Sequence, residues 1–466
     1  MSDINSDLGL FNELVEVLFN EEKKHPVADR IEANALYDSI DLSLNESAMV
    51  DQEFKQVLKN VLISTPKTAT KLFFNQLFGG RQSKAVLGDL LAVMLNNSMY
   101  TYKVAGPQVG IEQEIIRQSS ELIGYGSQSN GTFPTGGSMS NYMALVMARD
   151  AKDPLCKTEG ISKPLVVYTS KESHYSNAKN VSFAGIGRNN IRYIQADSRG
   201  QMIPSKLEEQ IIEDLGNGFI PTYVNATAGT TVLGAFDPID EIADITEKYK
   251  VWLHIDGAYC GSVIFSDEYK HLVNGISRSD SFSYNAHKMI GTPMTCSIIL
   301  VKDKKHLHDS FSNDADYLYQ TDGDDFNLGK TSFQCGRRND ALKFWTLWKS
   351  VGTNGLQNIV DQQFNLADVA REYVRNNSHY TLYSFDDSIS ICFNYKNIDP
   401  TALCTALYEH QITVVGFGSF NEDTFIRLVT INATNTKQDI LNFFKVLEDF
   451  VEKNPILTTT MVESNS

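Results

Sequence analysis

The sequence predicts an α/β protein: a mostly parallel sheet flanked by helices, with a helical segment before it and a small α+β domain after it. Short apolar or β-branched runs alternate with helical ones, namely Pro164–Tyr168, Phe219–Val224, Val251–Ile255, Ser281–Tyr284 and Cys296–Val301. Strands that are apolar nearly throughout are buried on both faces, the condition of a parallel sheet covered by helices. One intervening helix carries its own start signal. Asp237 is placed to accept from first-turn N–H groups, Pro238 suits the first helical position, and Asp240 and Glu241 favour the positive end of the dipole. Ile239, Ile242, Ala243 and Ile245 then supply a buried face.

Taken in chain order, residues 1–90 read as a helical N-terminal segment. Leu10, Leu14, Val15 and Leu18, and then Phe54, Val57, Leu58, Val61 and Leu62, recur at helical spacing. Residues 91–345 hold the large α/β domain. Between 346 and 455 the pattern changes: Gly352 and Gly355 interrupt a helical run, a long helix follows over 357–376, and strands at Ser388–Tyr395 and Ile412–Val415 complete a smaller α+β domain. The polar tail 456–466 is expected to fray.

Composition excludes several classes of function. The 466 residues carry 41 Lys and Arg against 57 Asp and Glu, a net charge of −16, whereas phosphate backbones are bound by basic surfaces. Nucleic acid is therefore not an expected partner. The apolar run Leu87–Leu95 is interrupted by Gly88 and Asp89, and Ser297–Val301 is of strand length, so no transmembrane segment is expected. The first residues show no basic stretch followed by an apolar one, which predicts a cytoplasmic protein. Six scattered cysteines without a Cys-x-x-Cys pair read as reduced packing residues. His306 and His308 have no third ligand nearby, so they are assigned to an exposed turn and no metal site is expected.

The sharpest local feature is Asn285-Ala286-His287-Lys288, just after a strand, with Asp256 at the end of another. Ligands of open α/β sheets bind beyond the carboxyl ends of the strands, so both side chains share one crevice. A lysine there suits a Schiff base with the aldehyde of pyridoxal phosphate, and an aspartate there suits the cofactor's ring nitrogen. Either residue alone reads more simply as a surface lysine or a helix cap. Gly136, Gly137 and Ser138 precede a helical run and offer free N–H groups to a phosphate. The loop Asn225–Thr231 adds small residues and hydroxyls, and His174 offers an imidazole that could lie on a cofactor ring.

Together and in this order, these segments resemble the pyridoxal-phosphate-dependent amino-acid decarboxylases that include glutamate, cysteine sulfinate and aromatic amino-acid decarboxylases. The resemblance spans roughly residues 70–450 and rests on Phe74–Leu77, Pro134–Ser138, Ser173–Ser176, Asn225–Thr231, His254–Ala258, Asn285–Lys288 and Gln334–Arg338. It implies an aspartate-aminotransferase-type fold, a homodimer with shared active sites, and pyridoxal 5'-phosphate as cofactor. It also implies roles: Lys288 bonds the cofactor, Asp256 pairs with the pyridine nitrogen, and His174 and Ala258 pack on the two ring faces. Gly137, Ser138, Thr230, Asn285 and His287 would hold the phosphate. The family's usual Asp-Ala-Ala and Asn-Pro-His-Lys stand here as Asp256-Gly257-Ala258 and Asn285-Ala286-His287-Lys288.

Within the family, the acidic-substrate branch fits best. Gln76 and Arg427 match positions that contact a substrate carboxylate, and a guanidinium fork suits a carboxylate or sulfinate. Phe78 and Tyr100 resemble cysteine sulfinate decarboxylase more than glutamate decarboxylase, while Lys103 replaces a usual Glu. The expected reaction is α-decarboxylation of cysteine sulfinate or aspartate. Alternatives are glutamate decarboxylation, another reaction on the same cofactor such as transamination or oxidation, and a catalytically silent dimeric regulator. The loop from Tyr319 to Thr331 reads as a lid. Relatives usually carry there a Tyr that protonates Cα, where this chain has Phe326; Tyr317, Tyr319 and His174 are the other candidate donors.

Overall fold

A computed structural model of the chain describes residues 4–24, 30–312 and 324–455. These divide into two compact units, one comprising Arg81–Ala367 with Ser384–Ser390, the other the N-terminal residues through Gly80 with Asp368–Tyr383 and the residues from Ile391 onward.

The larger unit is built on a seven-stranded sheet: β1 (Asn130–Thr132), β2 (Leu165–Ser170), β3 (Ile191–Ile194), β4 (Ile220–Thr227), β5 (Trp252–Gly257), β6 (Ser281–Asn285) and β7 (Ser297–Val301). Their spatial order is β1-β7-β6-β5-β4-β2-β3, and β7 alone runs against its neighbours. This is the mostly parallel sheet the apolar runs predict. β1 and β3 are short edge strands without an apolar run, which is why the sequence pattern does not announce them. The helix Gly137–Lys152 lies on the sheet and buries Met143, Leu145, Val146 and Met147 in a cluster with Leu165, Val167, Tyr223 and Ile299. Burial of such side chains contributes about 1.5–3 kcal/mol each relative to exposure.

Asp237 does not cap the helix Ile239–Tyr249, as the sequence suggested. Pro238 is the capping position, without a side-chain hydrogen bond, and the buried Asp237 carboxylate instead accepts from the backbone N–H groups of Met202 and Thr227, each at 2.7 Å. Burial pushes the Asp237 carboxyl up to about 7, against the pull of those two donors. His306 and His308 lie on the helix Lys304–Phe311, capped by Asp303, rather than in an exposed turn, and His306 packs edge-on against Trp252.

The helix Ser83–Leu95 reverses the usual arrangement of side chains. Its buried positions are Ala85, Gly88 and Ala92, while Leu87, Leu90, Leu91, Val93, Met94 and Leu95 are exposed. Gly88 permits a close helix crossing, since a Cβ there would sit 2.8 Å from the Leu342 carbonyl oxygen and the Lys343 Cα. Asp89, beside it, pairs with Arg338 at 2.6 Å and with the buried Lys343 at 3.1 Å. The two residues that interrupt the apolar run are those facing the unit's own interior.

Arg337 makes a buried bidentate pair with Glu112, its Nη atoms 2.7 and 2.9 Å from the carboxylate oxygens. Both side chains are almost fully enclosed, at 2% and 0% exposure. Arg337→Met strands a buried carboxylate and is expected to destabilise the fold by about 3–5 kcal/mol, measured by denaturant unfolding. Cleaving one partner is costly even where the intact pair contributes little net stability.

The smaller unit carries an antiparallel sheet in the order β10-β11-β9-β8, from β8 (Tyr380–Leu382), β9 (Ser390–Tyr395), β10 (Gly416–Phe420) and β11 (Asp423–Val429). The strand expected at Ile412–Val415 is displaced: only Val414 bridges, to Phe73, and β10 begins at Gly416. The helix expected over 357–376 is the second part of Ala341–Arg375, broken at Gly352, whose φ of 70° no ordinary helical residue adopts. The helices Ile4–Lys24 and Asp51–Ser64 belong to this same unit, with Leu8, Phe11, Phe19 and Phe54 exposed. The tail 456–466 and residues 319–323 of the expected lid lie outside the described residues.

Candidate active site

The parallel strands deliver their carboxyl ends to one edge of the sheet. A cavity of about 150 Å³ there is lined by Gly137, Ser138, Asn141, His174, Thr227, Gly229, Thr231, Asp256, Ala258, Tyr259, Asn285, His287 and Lys288. It gathers residues from the ends of β4, β5 and β6, from the turn after β2, and from the start of the helix Gly137–Lys152. Burial lowers the pKa of the Lys288 amine, while Asp256 opposes that shift, so the neutral nucleophilic form is favoured relative to a free lysine. The Lys288 Nζ sits 6.0 Å from the centre of the Tyr259 ring.

Asp256, almost fully buried, accepts at Oδ2 from Asn141 Nδ2 at 2.6 Å and at Oδ1 from the Ala258 N–H at 3.0 Å. His174 Nδ1 accepts from the Ser176 N–H at 3.2 Å, and burial lowers the pKa of the ring, so Nε2 carries the proton of the neutral form. The His287 Nδ1 is 3.0 Å from both the N–H and the C=O of Cys296, which leaves Nε2 available to a ligand; burial brings this imidazole down to about 4. Asn285 Oδ1 accepts from Ser297 Oγ at 2.6 Å, leaving its amide nitrogen as a donor without a partner among the described residues.

Gly137 keeps part of the cavity open. A Cβ on Gly137 would sit 2.9 Å from Ala258 Cβ and 3.1 Å from Asn285 Nδ2. Gly257, outside the cavity lining, is compelled by its own surroundings: a Cβ there would sit 2.5 Å from Phe282 Cε2 and 2.7 Å from the Ser283 carbonyl oxygen.

Thr230 is not among the lining residues. It is buried and its hydroxyl accepts from the Ala235 N–H at 3.0 Å, whereas the adjacent Thr231 faces the cavity. Asn141, Thr227, Gly229 and Tyr259 line the cavity without having been singled out from the sequence. For Asn141 a signal existed, since it closes the segment that begins with the glycine turn. Gln76, Phe78, Tyr100 and Arg427 are not lining residues either. In the smaller unit, Arg427 on β11 donates from Nη2 to the Asn75 carbonyl at 2.9 Å, beside the exposed Gln76, and Phe78 packs near Phe73. Tyr100, in the larger unit, lies against Gly329, whose N–H donates to its carbonyl at 2.9 Å.

The donor set fits pyridoxal phosphate. The first N–H groups of a helix have no intrahelical partner and suit a phosphate, and Gly137 and Ser138 occupy that position. The buried Thr227 hydroxyl, on the cavity wall, has no hydrogen-bond partner among the described residues, as expected of a site completed by a polar ligand. An amine, a carboxylate and an imidazole converge in the same space.

The fold and this cavity define a pyridoxal-phosphate enzyme. The pyridoxal-dependent decarboxylase conserved domain matches residues 35–396, and the chain belongs to that family. It is 37% identical over 383 residues to the cysteine sulfinic acid decarboxylase of Mus musculus, covering 81% of this chain and 78% of that protein. It is 36% identical over 392 residues to the acidic amino acid decarboxylase GADL1 of Xenopus tropicalis, covering 83% and 76%. The crystal structure of mouse CSAD superposes with a TM-score of 0.89 at 32% identity, covering 96% of this chain and 99% of that one. A rice TDC structure solved with PLP and tryptamine shares the fold, with a TM-score of 0.88 at 22% identity.

Proposed function

We propose that this decarboxylase removes the α-carboxylate of a small acidic amino acid, with cysteine sulfinate or aspartate preferred to glutamate. The observation that carries the reading is the convergence of Lys288, Asp256 and His174 on one cavity, in a chain whose relatives are named for acidic substrates. Bound pyridoxal phosphate supplies the electron sink for the charge left when CO2 departs. Lys288 is the residue whose amine would hold the cofactor covalently. Asp256 would hold the proton at the cofactor's ring nitrogen, and His174 and Ala258 would pack against its ring. The phosphate falls to Gly137, Ser138, Asn285 and His287, with Thr231 in the place first assigned to Thr230. Arg427 and Gln76 receive the substrate's second acidic group, and Phe78 and Tyr100 shape its pocket.

A homodimer accounts for the outward apolar face of Ser83–Leu95, since a patch of this kind on a soluble protein marks an interaction surface. Six free thiols favour a reducing, cytoplasmic setting. No helix among the described residues is long and apolar enough to cross a membrane.

Equimolar CO2 and amine from cysteine sulfinate or aspartate is the expected product balance. Amine transfer without CO2 would contradict the assignment. One departure is expected at Phe326, which ends a short turn, is half exposed and packs edge-on against Tyr102 at 5.7 Å. A phenyl ring donates no proton, so a small fraction of turnovers should end in abortive transamination, the cofactor keeping the amino group, or in aldehyde formed with dioxygen as the oxidant. Phe326→Tyr should lower that fraction, read by product analysis; an unchanged ratio would remove the role given to this position.

A further inference from the structure

The sheet beneath the cavity carries a column of polar side chains in strands otherwise apolar. β4, β5 and β6 pair in parallel so that Asn225, His254 and Ser281 are in register, as are Thr227, Asp256 and Ser283. Side chains two apart on a strand share a face, so His254 and Asp256 point to the same side. Asn141, on the helix covering that face, lies between them: its Nδ2 is 2.6 Å from Asp256 Oδ2 and its Oδ1 is 3.1 Å from His254 Nε2. On its other side His254 Nδ1 is 2.9 Å from Ser281 Oγ, which also lies 3.0 Å from Trp252 Nε1. His254 and Ser281 are fully buried.

The chemistry of each group places every proton. A carboxylate only accepts, so the Asn141 amide nitrogen faces Asp256 and its oxygen faces His254. His254 Nε2 must then be N–H. Burial brings this imidazole down to about 4, so it is neutral and Nδ1 is an acceptor. The Trp252 N–H only donates, so Ser281 Oγ accepts from it and gives its own proton to His254 Nδ1. Ser283 Oγ, at 3.5 Å from His254 Nε2, is too far to compete. The chain runs one way, from indole to hydroxyl to imidazole to amide to carboxylate.

We propose that His254 is a positioning residue for the cofactor: by holding the Asn141 amide in one orientation, it keeps an N–H donor on Asp256 and fixes the carboxylate at the pyridine nitrogen. Without His254, Asn141 is free to turn its oxygen toward Asp256, and the carboxylate loses its buried donor. This rests on the assignment of the cavity to pyridoxal phosphate.

The test compares wild-type holoenzyme with His254→Phe, which removes both ring nitrogens, and His254→Gln, which restores an N–H donor near Nε2. Cofactor dissociation and the visible absorbance of the bound cofactor are recorded, with thermal unfolding of each apoprotein as the control for folding. His254→Phe should release cofactor about 10- to 100-fold faster, the scale of leaving a buried group unpaired, with an altered spectrum. His254→Gln should recover most of both. Ser281→Ala, a smaller change, should shift both readouts in the same direction if His254→Phe does not fold. Wild-type spectra and release rates in the folded variants, or equal defects in the Phe and Gln variants, would overturn the proposal. Failure of the wild type itself to bind pyridoxal phosphate would instead overturn the cofactor assignment.

Discussion

Replacing Lys288 by alanine is expected to lower turnover on the order of 10³-fold or more, the scale of losing a covalent catalytic group. The residue lines the cavity 6.0 Å from the Tyr259 ring centre, with its amine shifted toward the neutral form by burial. Pyridoxal phosphate should still bind, because the helix start at Gly137 and Ser138, and the side chains of Asn285 and His287, remain in place. Borohydride should no longer leave cofactor attached to the chain. Wild-type turnover in this variant, or cofactor still trapped on a lysine, would remove Lys288 from the mechanism.

Arg427→Met is expected to weaken catalysis selectively toward acidic substrates. Leaving a desolvated substrate charge without its partner costs about 2–5 kcal/mol, which is roughly 30-fold or more in kcat/KM, expressed mainly as a raised KM. Arg427 is already tied to the Asn75 carbonyl, beside Gln76, so its guanidinium is held in place before substrate arrives. The comparison is with an amino acid lacking the second acidic group, on which the variant and the wild type should differ little. An equal loss on both substrates would mean that Arg427 supports structure rather than specificity.

The strand cores of the large sheet were legible because β2, β4, β5, β6 and β7 are largely apolar runs, and the candidate site residues lie at or after the ends of several of them. Asp256 and Asn285 lie at strand ends, His287 and Lys288 just after one and His174 in a loop, and all five line one cavity. What the sequence hid has physical reasons. β1 and β3 are short edge strands, and Asp237 resembles a helix cap locally but is claimed by the Met202 and Thr227 N–H groups from elsewhere in the chain. Thr230 and Thr231 are indistinguishable by type, and only the turn decides which hydroxyl faces the cavity. The polar column did leave a trace. Asn225-Ala226-Thr227, His254-Ile255-Asp256 and Ser281-Phe282-Ser283 alternate with period two inside apolar strands, marking one face of a buried sheet as hydrogen-bonded. Reading those runs as uniformly apolar concealed His254 and its link to Asn141.

The most direct test of the account is CO2 release by the wild-type holoenzyme from a panel of amino acids: cysteine sulfinate, aspartate, glutamate, an aromatic and a basic amino acid. The prediction is decarboxylation led by cysteine sulfinate or aspartate, glutamate slower, and the aromatic and basic substrates slowest. Faster release from an aromatic or basic amino acid, or no release from any acidic one, would contradict it.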